Sequence, residues 1–394
     1  MKAILTLFLF SLFVSAASSL LTDDAPPRWP LFQKHQLDDG ANESATVTDI
    51  NGDGRLDIVS GENWFQAPEW KKHHFREIPF SNGYIDDFSN HPFDVNGDRY
   101  PDIVTCAWFG KKMAWYENPR RHDGELGTMP WKEHVIESGF NYELMLMVDI
   151  DGDGQAQEFL PNYGSTPEVA WWERTEQSEK GEWVRHAIGT VPDARGLHGI
   201  GSGDLNGDSR PDILTARGWF EGPANPRTGS WTFHPDFQLL PPRGQCSPIY
   251  ALDVNGDRKT DLVFGAGHHY GLFWLENLGN AWRPHVIDDS WSQAHALTLA
   301  DMDRDGQMDL VTGKRYLAHD IDPGAYEPLG LYWYRLGPNG RYSKHVLDFG
   351  ARVGGGMQIP VADLDGDGDL DLVAPGKSGL FLFEQVDFQR ERKQ

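Results

Sequence analysis

The sequence predicts an all-β fold, a closed seven-bladed β-propeller with four strands to each blade. Three observations predict it. An acidic turn recurs seven times at intervals of 45 to 62 residues, a period that suits one four-stranded blade. Each repeat parses into the same four apolar or alternating segments. The two ends of the chain are out of phase, which leaves one early strand free to complete the last blade.

The elements follow in order. The first segment of a repeat is apolar and enters the acidic turn, as in HALTLAD, and the second leaves it, as in DLVTG. The third is aromatic: MAWYEN, VAWWER, LFWLEN, LYWYRL and LFLFEQ. The fourth reads WKEHVI, WVRHAI, WRPHVI or YSKHVL. Alternating, β-branched and aromatic residues bounded by Gly, Pro and Asp are strand signals, and no long segment carries helical periodicity. FQKHQL, at 32–37, is a fourth strand with no repeat before it, while the last repeat stops after its third strand, LFLFEQ. Pairing the two closes the ring and removes sheet edges.

The acidic turn follows D-x-[DN]-x-D-x-x-x-D, the pattern of the first part of a calcium-binding loop. Its members are Asp49, Asn51, Asp53 and Asp57; Asp94, Asn96, Asp98 and Asp102; Asp149, Asp151 and Asp153; Asp204, Asn206, Asp208 and Asp212; Asp253, Asn255, Asp257 and Asp261; Asp301, Asp303, Asp305 and Asp309; and Asp363, Asp365, Asp367 and Asp371. Side-chain oxygens at positions one, three, five and nine, with the carbonyl at seven, can converge on one Ca2+. Clustered carboxylates repel one another without a cation. The bland alternative is a metal-free Asx-turn hairpin. It weighs most in blade three, where Gln157 stands at the ninth position, and Arg304 departs from the usual Gly in blade six.

With these turns the chain resembles the FG-GAP or VCBS repeat family. The resemblance implies a calcium-loop β-propeller and leaves function open, because propellers host both binding and catalysis.

The remaining chain reads simply. MKAILTLFLFSLFVSAASS has a charged start, an apolar stretch and a small-residue cleavage site, so residues 1–17 are expected to be a signal peptide. Residues 18–28 are a linker, 29–386 the propeller and 387–394 a tail. The mature protein is expected to be secreted or periplasmic, with no membrane span. Net charge is −24, carried mostly by the turns, and no basic patch suits nucleic acid. Cys106 and Cys246 are expected to be free buried thiols, and oligomeric state is not legible.

The turns occupy one face, so function is sought at the opposite channel mouth. Six residues before each motif stand Glu43, Phe88, Glu143, His198, Ser247, His295 and Met357, a mixture that packing alone does not require. Beyond the second strands lie Trp108, Tyr163, Arg217, Trp219, His268, His269, Lys314, Arg315, Tyr316 and Lys377, and entering loops add Arg195, Arg243 and Arg352. Cationic and aromatic groups at one mouth suit an anionic or polyhydroxylated ligand such as carbohydrate. Seven histidines recur in fourth strands (His35, His73, His134, His186, His234, His285 and His345), and this periodicity makes them structural. Blade six carries a long insertion, GKRYLAHDIDPGAYEP, that adds His319.

One reaction fits this set, β-elimination from a keto-sugar or uronate-type substrate. His295 or His198 is the base, Arg217, Lys314, Arg315 or a metal ion stabilises the enolate, and Tyr316 or His319 protonates the departing oxygen. The remaining residues named at the mouth are candidate substrate contacts. Glu143, His198 and His295 are also candidate ligands for a second divalent metal at the mouth. SQAHAL, GKRY and DLVAPGKSGLFLFE resemble the propeller domain of the aldos-2-ulose dehydratases, which implies a carbon–oxygen lyase. The alternative is a non-catalytic carbohydrate- or protein-binding adhesion propeller.

Overall fold

The computed structural model describes residues 28–119, 130–175, 182–195, 197–239 and 248–390. The expected leader, most of the linker, Arg243, Ser247 and Cys246 lie outside these residues. The fold is all-β, with seven four-stranded antiparallel sheets and one additional two-stranded hairpin. Blade one runs Ala45–Thr48, Asp57–Ser60, Asn63–Gln66, Lys71–His74. The last blade combines Val361–Ala362, Asp371–Gly376 and Gly379–Arg390 with the N-terminal strand Arg28–Asp38. That closing pair runs antiparallel from Arg28 opposite Arg390 to Asp38 opposite Leu380, with register shifts after Leu31 and after Gln36. A parallel bridge between Ser44 and Gln358 joins the inner edges of blades one and seven.

Inner strands of neighbouring blades approach so closely that side chains are excluded at some positions. A Cβ on Gly356 would lie 2.0 Å from the Glu43 carbonyl oxygen, and one on Gly201 would lie 2.0 Å from that of Ile249. Blade-to-blade packing is apolar. The largest core cluster runs from Phe88 and Val104 through Phe159 and Trp171 to Phe220. Cys106 is a free, buried thiol within it.

The acidic turns are built alike. In blade one the Asp49 carboxylate accepts the Gly52, Asp53 and Gly54 N–H groups at 2.8, 3.0 and 2.8 Å. Asp57, at the ninth position, reaches inward and accepts from Ile50 N at 3.0 Å and Ala67 N at 2.9 Å. Asp102, Asp212, Asp261, Asp309 and Asp371 likewise accept one N–H from the turn and one from the third strand or the residue just past it. This carboxylate therefore ties three strands of a blade together. Burial, partly offset by those backbone donors, pushes Asp102 and Asp309 up to about 7 and Asp57 up to about 6.

Blade three departs from the expectation attached to Gln157. Glu158, one residue later and one methylene longer, accepts the Ile150 N–H at 2.8 Å and replaces the missing aspartate. Gln157 is exposed. Ligand oxygens of Asp149, Asp151 and Glu158 lie within 4.8 Å of one another, as do those of Asp301, Asp303 and Asp309, and of Asp363, Asp365 and Asp371.

A second repeated device explains the periodic histidines. His73, His134, His186, His234, His285 and His345 each stack on a third-strand tryptophan, at centroid distances from 4.0 to 4.4 Å. Four of them also bond a third-strand glutamate at 2.8 or 2.9 Å: His134 to Glu117, His186 to Glu173, His234 to Glu221 and His285 to Glu276. Trp219 is one of these stacking tryptophans. It is buried against His234 and so is removed from the mouth, contrary to its sequence-based placement.

Asp102→Ala strands the Val95 and Asn118 N–H groups in the interior. At about 1–3 kcal/mol for each stranded donor, the expected loss is roughly 2–6 kcal/mol, read by urea unfolding. A loss below about 1 kcal/mol would contradict the structural role given to this carboxylate.

Candidate functional site

A strand rises about 3.3 Å per residue, so the starts of the inner strands lie about 20 Å from the acidic turns that end them. At that end a cavity of about 900 Å3 opens. Glu143, at the start of strand Tyr142–Val148, His198, just before Ile200–Gly203, and His268, in the loop after Asp261–Gly265, line its floor. Tyr84, Phe88, Trp108 and Phe109 form an aromatic wall, and Arg315, His319, Ile321 and Asp322 come from the blade-six insertion.

Glu143 is the hub. His198 Nδ1 contacts its Oε2 directly, and His268 Nε2 and His295 Nε2 lie 3.8 and 3.9 Å from its Oε1. His268 Nδ1 bonds Asp322 Oδ2 at 2.8 Å, and the His319 ring stacks on His268 at 4.6 Å. His295 is 1 % exposed, and its Nε2, like His268 Nε2, has no hydrogen-bond partner. Burial alone would raise the Glu143 pKa, but the charge and contact of His198, with the charge of His268, outweigh it and hold the carboxyl well below the usual range. Burial opposes charge on His268, yet Glu143 and Asp322 raise its pKa. Burial, followed by the charges of Arg315 and His268, holds His295 well below an ordinary imidazole. Two neighbouring histidines are thus driven in opposite directions.

Arg315 forms the second half of the site. It is 2 % exposed; its Nε donates to Glu43 Oε2 at 2.9 Å, and its Nη2 is buried without a partner. Lys377 Nζ lies 3.6 Å from Glu43 Oε1, bonds the Leu317 carbonyl at 2.9 Å and sits 3.6 Å from the Tyr84 ring centroid. Tyr84 belongs to the hairpin Phe80–Ser81 and Tyr84–Ile85, and its hydroxyl donates to the Ala318 carbonyl. One side of the mouth is therefore roofed by the hairpin and the blade-six insertion, joined over Glu43.

Of the residues expected at the mouth, the structure brings together Glu143, His198, His268, His269, His295, Arg315, His319 and Trp108, with Glu43 and Lys377 behind Arg315. Several others sit elsewhere. Lys314 is buried, and its amine bonds Ser292 Oγ at 2.7 Å and the Gly324 carbonyl at 2.6 Å, so it anchors the insertion. Burial brings both lysine amines, Lys314 and Lys377, down to about 8. Tyr163 is buried in blade three and donates to Glu137, on the fourth strand of blade two, at 2.8 Å. Tyr316 is 42 % exposed, and Arg195, Arg217 and Arg352 are exposed, Arg217 bonding the Asp193 carbonyl and Arg352 that of Ser378. Asp322, Tyr84 and Phe109 went unnoticed in the sequence. The hairpin carried a signal: Asn82-Gly83 takes positive φ at both residues, the demand of a tight type I′ turn.

Residues 253–312 match the family described as FG-GAP-like repeat. The chain carries an FG-GAP-like repeat. The matched stretch runs from the blade-five turn into the second strand of blade six. No curated protein matches the sequence. Among solved structures, BBS1N in complex with ARL6DN is similar at TM-score 0.54 and 13% identity, over 92% of this chain and 98% of that one. A lectin from Agrocybe aegerita that recognises non-reducing terminal N-acetylglucosamine is similar at TM-score 0.45 and 16% identity, over 81% of each chain. Rhamnogalacturonan lyase YesW is similar at TM-score 0.45 and 12% identity, over 94% of this chain and 76% of that one. At such identities the likeness concerns the fold alone. No helix among the described residues is long and apolar enough to cross a membrane.

Glu43→Ala leaves the Arg315 guanidinium buried without its carboxylate. Breaking a buried pair from one side costs about 3–5 kcal/mol, and chemical denaturation of the variant is expected to show a loss of that size.

Proposed function

We propose that this propeller binds a neutral sugar at its mouth and eliminates water from it by α-proton abstraction. The observation that carries the reading is the convergence of three imidazoles on Glu143, His198 in contact and His268 and His295 at 3.8 and 3.9 Å, with Glu143, His198 and His268 lining an aromatic-walled cavity and His295 buried beside them. A cavity of about 900 Å3 falls within the range of small-molecule sites. Trp108 and Phe109 offer flat faces to a sugar ring.

Charge favours a neutral ligand over a uronate. Arg315 and Lys377 face Glu43, Lys314 is bonded to Ser292 and Gly324, and Arg217 and Arg352 point away. Carboxylates of Glu143 and Asp322 already stand in the cavity. Arg315, the guanidinium on the wall among the described residues, is already paired with Glu43.

The donor set also fits a divalent metal. Ligand atoms of Glu143, His198 and His268 lie within 4.8 Å of one another, and buried His268 Nε2 lacks a hydrogen-bond partner. Mixed imidazole and carboxylate ligands suit Zn2+ or a related ion, which polarises a carbonyl oxygen when bound. His295, held neutral by burial and adjacent charge, is the base that takes the proton next to the substrate carbonyl. The electron pair of that C–H bond forms the new double bond as the β carbon–oxygen bond breaks. The proton removed and the hydroxide released together make one water, so no outside co-reactant is needed. Arg315, whose Nη2 has no partner, is the group proposed to stabilise the enolate oxygen.

The expected measurement is a rising ultraviolet absorbance from a conjugated enone when the protein meets neutral keto-sugars, absent with uronate polymers. His295→Gln is expected to slow it at least about 100-fold, the lower range for a general base, with melting unchanged. Sugar binding without any absorbance change, in wild type and variant alike, would leave a carbohydrate-binding propeller instead.

The acidic turns are proposed to hold structural Ca2+, supported by the clustered carboxylates and the raised Asp102 and Asp309. Calcium is expected to raise the melting temperature of the chelator-treated protein by several degrees, with Glu158→Gln lowering the number of ions bound by one. Identical melting in calcium and in chelator would remove the cation from the account.

A further inference from the structure

We propose that Asp322 is the orienting partner of His268, so that the blade-six insertion forms part of the mouth metal site without touching the ion. This rests on the metal reading given above. His268 is buried, with 8 % of its side chain exposed, and its two ring nitrogens face different groups. Nδ1 is 2.8 Å from Asp322 Oδ2, and Nε2 faces Glu143. Nδ1–H donates to the carboxylate, which leaves the Nε2 lone pair directed at the point shared with Glu143 and His198. A carboxylate behind a metal-binding imidazole fixes its tautomer and its ring angle.

Asp322 is itself held still. Its N–H bonds the His319 carbonyl at 3.2 Å, and its carbonyl accepts from Ala325 N at 3.2 Å. On either side the insertion is tied down by Lys377 to the Leu317 carbonyl at 2.9 Å and by Lys314 to the Gly324 carbonyl at 2.6 Å. The anchored lysines, expected from sequence to stabilise an enolate (Lys314) and to contact substrate (Lys377), thus position the carboxylate. His268, His319 and Asp322 also bring ligand atoms within 4.8 Å of one another. Direct ligation there would compete with the bond Asp322 already makes to Nδ1.

The test is Zn2+ and Co2+ titration of the metal-stripped protein, with calcium kept saturating so that the acidic turns stay filled. Wild type is expected to bind one transition-metal ion tightly, with a visible Co2+ band. Asp322→Ala is expected to weaken Zn2+ binding about 10–100-fold and to shift the Co2+ band, with unchanged melting in calcium. Asp322→Asn, whose amide oxygen can still accept from Nδ1, is expected to lose less. His268→Ala is expected to abolish tight binding. Wild-type affinity in Asp322→Ala, beside a loss in His268→Ala, overturns the role of Asp322 and leaves the metal reading intact. Two tight ions, one of them lost in Asp322→Ala, make Asp322 a ligand and overturn the positioning role. No tight ion in wild type overturns the metal reading, and the role of Asp322 with it.

Discussion

The structure depends on a buried carboxylate repeated once per blade. At the ninth turn position, or one residue later in blade three, it draws one N–H from the acidic turn and, in six blades, one from the third strand or the residue just past it. A carboxylate held by two backbone donors is a strong, directional anchor, since bonds to a charged acceptor exceed neutral ones. The cost is an anion in a poorly solvated place, visible in the raised pKa values of Asp57, Asp102 and Asp309. The anchor pins one end of every blade. The opposite end, about 20 Å away at 3.3 Å per residue, is released from that duty and varies blade by blade.

The mouth uses charge differently. At the turns, like charges crowd together. At the mouth, opposite charges are interleaved, with Glu43 between Arg315 and Lys377, and Glu143 among His198, His268 and His295. Buried pairs of this kind seldom add net stability, because desolvation consumes the Coulomb gain. They do fix geometry. Arg315 can occupy the interior only where Glu43 meets it, and that bond sets where the blade-six insertion begins. The hairpin carrying Tyr84 then closes over the same pair.

Much of the fold was legible in the sequence because its elements repeat and are local. The acidic turn, the alternating strands and the out-of-phase ends each follow from short-range pattern, and Arg28–Asp38 pairs with Gly379–Arg390 as the phase demanded. The fourth-strand histidines were legible as structural for the same reason. The misreadings arose where a pattern was broken by one residue or one orientation. Glu158 restores the carboxylate that Gln157 appeared to lose, because an extra residue and a longer side chain together reach the same N–H. Trp219 and Tyr163 lie near mouth positions in sequence, but their side chains turn away into the packing, Trp219 onto His234 of its own blade and Tyr163 toward Glu137 of the neighbouring one.

By itself the sequence determined the number of blades, the position of each acidic turn and the strand that closes the ring, since period and polarity are written within about fifty residues at a time. It also singled out Glu143, His198 and His295 as residues that packing did not require. Only the tertiary structure decided that these meet His268, that Arg315 rather than Lys314 faces the cavity, and that Asp322 stands behind the cluster. These groups come from different blades and from an irregular insertion, so no sequence spacing encodes their distances. The radial convergence of seven inner strands on one axis creates those distances, and a ring has that axis only after it has closed.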